Sequence, residues 1–214
     1  MIIAGEASGD MHGAGLVKEM LNINPALRFY GIGGKKLREV GGELLADASE
    51  MAVVGLTEAI SKLRTILKTM GMMKKSLDER RPDLVILIDY PDFNLPLAKA
   101  ANKRGIKVLY YISPQVWAWR KGRIGQIKKT VNKMAVILPF EVETYRQEGF
   151  AANYVGHPLL DMVKTQYSKQ EARKKFGLVE HKTTIGIMPG SRFSEIKKLL
   201  PELLRIKFPS SYGF

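Results

Sequence analysis

The sequence predicts an α/β protein built on a doubly wound parallel sheet. Short apolar runs alternate with longer amphipathic ones along most of the 214 residues. The short runs are apolar on both faces, as parallel strands covered by helices should be. The chain also opens with an apolar run, a glycine-rich loop and a periodic segment, MIIAGEASGDMHGAGLVKEM. In this architecture, sites gather in the loops after the strands' carboxyl ends.

The elements follow in order. Strands are expected at residues 1–4, 28–31, 84–88, 107–111, 134–138 and 153–155, where the runs are short and apolar. Helices are expected at 10–21, 57–77, 94–104, 123–131 and 141–148, where apolar residues recur in steps of three and four. Gly156-His157-Pro158 breaks that texture. A basic helix at 169–176, a strand at 184–188, a Pro-Gly-Ser-Arg turn and a helix at 194–204 then read as the start of a second α/β domain. The expected division is a first domain at 1–155, a hinge at 156–168 and an incomplete second domain at 169–208. One strand and one helix do not bury a core alone. Residues 209–214 carry no periodicity and read as a non-native tail.

Composition narrows the function classes. With 45% hydrophobic and 26% charged residues, the chain is globular rather than disordered. It has no cysteine, which removes disulfides, thiolate chemistry and Cys-based metal sites. There is no apolar run of about 18 residues to span a membrane, and no basic region followed by a long apolar stretch to act as a signal peptide. The formal charge of +13 favours anionic partners: nucleic acid, acidic lipid headgroups or phosphorylated substrates. Lys and Arg concentrate at 62–75, 99–107 and 120–133, as binding surfaces or as ordinary solvated helix faces.

Four stretches carry the chemistry. The opening loop holds Glu6, Ser8 and Asp10, and its two carboxylates would repel a phosphate. RPDLVILIDYPDFNLP delivers Asp89 and Asp92 to a strand's carboxyl end, with Asp83 at the start. Two carboxylates there can divide roles, one buried as a base and the other orienting a hydroxyl. The structural alternative is turn and capping chemistry, and Asn94 suits a cap. YYISPQVWAWRKGRI offers Trp117, Trp119 and Arg120 as a platform for a sugar, an acyl chain or a base, or as a loop anchor. MPGSRFSEI places Ser191 and Arg192 ahead of a helix N-terminus, whose free N–H groups and dipole suit a diphosphate.

The segment 57–77 carries Ile60, Leu63, Ile66, Leu67, Met70, Met73 and Leu77 on one stripe, with five Lys and Arg around it. It reads either as a basic amphipathic helix for an anionic membrane or as a core-packing helix. His12, His157 and His181 are isolated in sequence, without a second ligand at metal spacing. Neither a P-loop lysine pattern nor a G-x-G-x-x-G fingerprint occurs.

AGEASGDMHGA, FYGIGG, AVVGLTEAI, IDYPDFN, YISPQVWAWR, ILPFE, YVGHPLLD and MPGSR stand here in the order seen in the lipid-A-disaccharide synthase family. The resemblance runs from Ile2 to about Arg205. It implies two Rossmann-like domains facing a cleft, the GT-B architecture, on the cytoplasmic face of the inner membrane. It implies an inverting transfer from UDP-2,3-diacylglucosamine to 2,3-diacylglucosamine 1-phosphate (lipid X), releasing UDP, with no cofactor and no metal. Asp92 matches the family's motif carboxylate as base, with Asp89 as runner-up. Glu6, Ser8 and Asp10 would face the sugar hydroxyls, and Asn94, Ser113, Gln115, Trp117 and Arg120 would complete the substrate contacts. Ser191 and Arg192 would hold the diphosphate. Ile60, Leu63, Leu67, Met70 and Met73 would contact the bilayer. No nucleic-acid partner is expected, and a homo-oligomer stays open. The chain reads as a fragment without transferase activity of its own. Rival readings are another sugar-nucleotide enzyme of the same fold, a transferase or an epimerase, and a basic module for membrane or nucleic acid.

Overall fold

The computed structural model describes residues 1–51, 59–115, 122–190 and 193–206. The chain divides into two compact units, Met1–Met162 and Val163–Phe214.

In the first unit the described strands form one parallel seven-stranded sheet. They are β1 (Ile2–Ala4), β2 (Tyr30–Gly33), β3 (Glu43–Asp47), β4 (Leu84–Ile88), β5 (Lys107–Tyr111), β6 (Lys133–Val136) and β7 (Ala152–Tyr154). Their order is β3-β2-β1-β4-β5-β6-β7. Helices α1 (Ala7–Ile23), α2 (Lys35–Glu39), α3 (Ala48–Met51), α4 (Ala59–Glu79), α5 (Pro91–Asn102), α6 (Arg123–Thr130), α7 (Pro139–Gln147) and α8 (Leu159–Met162) belong to the same unit.

Alternation along the central strands explains why they read as unbroken apolar runs. Ile2, Ala4, Ile86 and Ile88 enter one core cluster with Val17 of α1 and Leu37 of α2. Ile3, Val85 and Leu87 enter the other, with Met73 and Leu77 of α4, Phe93 of α5 and Ile127 of α6. A strand buried on both faces has no position left for a polar residue.

The structure adds β3 as an edge strand that periodicity alone does not reveal. Its sequence ELLAD is half-exposed and ends in charges at both sides. Glu43 accepts two hydrogen bonds from Arg80, at 2.8 and 2.9 Å. Helix α5 starts at Pro91 rather than at Asn94, since proline at the first helical positions needs no N–H partner.

The second unit holds α9 (Lys169–Lys175) and α10 (Phe193–Leu204). Ser168 and Glu171 form a capping box on α9, each side chain accepting the other's backbone N–H. The strand expected at 184–188 does not form, and residues 184–190 take neither helix nor strand.

Candidate active site

The strand order reverses between β1 and β4, so their carboxyl ends open the crevice where doubly wound sheets bind ligands. Gly5 and Glu6 follow β1, and Asp89 and Tyr90 follow β4. Glu6 is extended and stands at the N-cap of α1, its carbonyl accepting the Asp10 N–H at 2.9 Å.

Asp89 and Tyr90 form a tight elbow. Both are in the left-handed region, with φ of 43° and 42°. Side chains with a Cβ avoid that region, so two in succession need support. Asn94, fully buried in α5, donates its amide to the carbonyls of Ile88 (3.1 Å) and Asp89 (2.6 Å). The Tyr110 hydroxyl donates to the same Asp89 carbonyl at 2.5 Å. Burial holds the Tyr110 phenol well above its ordinary pKa, so it remains a donor.

The Asp89 carboxyl is held above its ordinary pKa, chiefly by burial and then by the charge of Glu6, while the Tyr90 N–H opposes the shift. A partly dehydrated carboxylate beside another acid is a better proton acceptor than one in water. Tyr90 stacks on Phe93, ring centroids 5.9 Å apart. Its phenol too is shifted up, by burial first and then by Glu6 and Asp92.

Asp92 lies in the first turn of α5 and forms an ion pair with Arg123, which opens α6. Its side chain is 75% exposed, against 19% for Arg123. Asp92 is thus exposed and ion-paired, whereas Asp89 is partly buried beside Glu6.

Other expected contacts divide. Ser8 and Gln115 are exposed. The Asp10 carboxylate is buried and accepts the backbone N–H groups of Gly34 (2.7 Å), Lys36 (3.0 Å) and Leu37 (3.0 Å), which ties α1 to the start of α2. Asn94 is inside the core, its amide on the elbow carbonyls. Ser113 is also enclosed, donating to the Pro114 carbonyl at 2.9 Å and lying 2.6 Å from the Tyr145 hydroxyl. Burial pushes that tyrosine's pKa up to about 12. Trp117, Arg120, Ser191 and Arg192 lie outside the described residues.

The bilayer stripe on α4 also divides. Leu63 and Leu67 are 55% and 62% exposed, beside the exposed Arg64 and Lys68. Met70 is half-buried against the core. Met73, expected at the bilayer, is fully buried in the core. The Ile60 side chain lies outside the described residues.

Sequence separation hid two further features. The rings of His12 and His157 meet edge to face, centroids 6.4 Å apart, although 145 positions divide them in sequence. Burial, and secondarily His157, hold the His12 pKa down. His12, Gly15, Lys18, Lys36, Tyr111 and Asp161 line part of a groove of about 580 Å³, to which Glu6, Asp89 and Asp92 do not contribute. Among the described residues no group of three His, Asp or Glu could hold a metal ion.

Known proteins give a consistent result. The family profile described as "Lipid-A-disaccharide synthetase" matches residues 1–209. A lipid-A-disaccharide synthase of Syntrophus aciditrophicus is 59% identical over 205 residues, covering 96% of this chain and 54% of the relative. One from Nitrosococcus oceani is 55% identical, covering 95% and 52%. One from Geobacter sulfurreducens is 52% identical, covering 95% and 53%. The chain thus spans about half the length of the curated relatives it matches.

Proposed function

The chain belongs to the lipid-A-disaccharide synthetase family, and from that premise we propose that it supplies the acceptor side of an inverting glycosyl transfer. The donor is UDP-2,3-diacylglucosamine and the acceptor is 2,3-diacylglucosamine 1-phosphate. The acceptor hydroxyl oxygen attacks the anomeric carbon as the bond from that carbon to UDP breaks. UDP leaves with the electron pair, and Asp89 takes the hydroxyl proton. Glu6 and Ser8 bind sugar hydroxyls at the mouth of the sheet. Arg192, from the MPGSR motif, neutralises the leaving diphosphate. The two-domain GT-B arrangement and a first domain spanning residues 1–155 belong to the same reading.

The observation that carries it is the Asp89 elbow at the strand-order reversal, with a raised carboxyl pKa beside Glu6. Among the described residues no helix is long and apolar enough to cross a membrane. Leu63 and Leu67, with Arg64 and Lys68, instead rest on the anionic inner-membrane surface, where both acylated substrates reside.

Titration of the chain with lipid X in neutral detergent micelles tests the acceptor assignment. Saturable binding that Glu6→Ala weakens is expected. Unsaturable partitioning, equal in both proteins, would remove the acceptor from this half.

A further inference from the structure

We propose that Asn94, together with Tyr110, is a positioning residue that clamps the Asp89–Tyr90 backbone in its left-handed turn and thereby sets where the Asp89 carboxyl stands. This deepens the reading of Asp89 as the acceptor base and rests on it.

Strand β4 ends at Ile88, and an ordinary exit would let residue 89 relax to an extended or right-handed conformation. Instead two residues with side chains turn left-handed in succession. Nothing in IDYPDFN makes that conformation intrinsically favourable at Tyr90, since only glycine, asparagine and aspartate visit it readily. The support is external. The Asn94 amide spans the turn, reaching the carbonyl before Asp89 and the carbonyl of Asp89 itself. Tyr110 reaches the latter from the neighbouring strand β5, and the Asp89 N–H donates to the Ile112 carbonyl at 3.3 Å.

Asn94 and Tyr110 are both buried, the amide at 0% exposure, so these bonds do not compete with water. Each donor points to backbone and neither side chain is exposed enough to serve as a surface substrate contact. The elbow carbonyls engage the N–H groups of this buried amide, while its oxygen has no partner among the described residues. The consequence falls on Asp89: with its backbone fixed, its carboxyl is kept half-buried and near Glu6. Released, the turn relaxes and the carboxyl moves toward water.

The groups facing Asp89 are Glu6 from the β1 exit, the Tyr110 phenol from β5 and the Tyr90 N–H from its own turn. The test is a carbon-13 NMR titration of the Asp89 carboxyl in the 214-residue chain, its resonance assigned by its loss in Asp89→Asn. Asn94→Ala and Tyr110→Phe are compared with the parent. The clamp predicts that Asp89 titrates at lower pH in both variants, moving toward the ordinary aspartate value of about 3.9. Glu141, whose carboxyl is also raised by burial but stands at the start of α7, should keep its titration. An unchanged Asp89 titration in either folded variant overturns the proposal. So does an equal shift of Glu141, which would signal general loosening. If Asn94→Ala does not fold, Tyr110→Phe, which keeps the ring in the core, decides by the same criteria. Failure of Asp89 as a base would show only in turnover and leave this titration untouched.

Discussion

Gly5 and Tyr90 are fitted to each other across the sheet's mouth: a Cβ at position 5 would stand 2.4 Å from Cδ1 of the tyrosine ring. The ring has little room to give way. Its backbone is in the left-handed turn, and the ring stacks on Phe93. Gly5→Ala should therefore destabilise the protein by about 1–3 kcal/mol, as overpacking does. Urea unfolding measures this, and an unchanged midpoint would contradict the fit.

Asp89 makes stability depend on pH with a definite sign. Its folded-state pKa lies above the ordinary value, so the folded protein holds the proton over a window in which the unfolded chain has lost it. Stability contributed by this group falls as pH rises through that window. Asp89→Asn should be more stable than the parent at pH 7. The two should converge below about pH 3.9, the ordinary aspartate value. Thermal unfolding at both pH values checks this, and a pH-independent difference would contradict it.

Asp10 should be a structural residue. Three backbone N–H groups, that of Leu37 buried, lose their acceptor in Asp10→Ala, at a cost of about 1–3 kcal/mol. Amide exchange at Gly34, Lys36 and Leu37 should accelerate. Lipid X affinity of the folded variant should stay near the parent's. A selective loss of affinity with unchanged stability would return Asp10 to the substrate.

Helix α4 should separate two functions along its length. Leu63→Asp with Leu67→Asp should weaken binding to anionic vesicles and leave stability within about 0.5 kcal/mol, because both side chains are exposed. Met73→Ala should cost about 2–5 kcal/mol, as a buried methionine does. Rising salt should weaken the vesicle binding. Vesicle sedimentation and urea unfolding distinguish these effects, and vesicle binding unaffected by the paired change would contradict them.

The central sheet was legible because Ile2 to Ala4 and Leu84 to Ile88 are apolar on both faces, a pattern few other environments allow. Strand β3 was not, since Glu43 and Asp47 at its ends give an edge strand too little apolar contrast. The carboxylates of the opening loop were visible as a group, but their roles were not. Asp10 differs from Glu6 only in which backbone groups it meets, and those come from α2, 24 to 27 residues away. The family motif puts Asp92 first as base and Asp89 second; burial beside Glu6 and the Arg123 ion pair give the two carboxylates different surroundings in three dimensions. The strand expected at 184–188 has the right composition, but sequence periodicity does not report pairing.

The most direct test of the central claim is product formation from UDP-2,3-diacylglucosamine and lipid X by a protein of the relatives' full length that carries this chain as its first half. Asp89→Asn and Asp92→Asn are compared with the parent. Removing a general base typically costs 10²–10⁴-fold, and Asp89→Asn should lose about that much turnover with its fold intact. Asp92→Asn should stay within about tenfold of the parent, since its loss frees Arg123 but removes no proton acceptor. Near-normal turnover of Asp89→Asn, or the reverse ranking, would contradict the account.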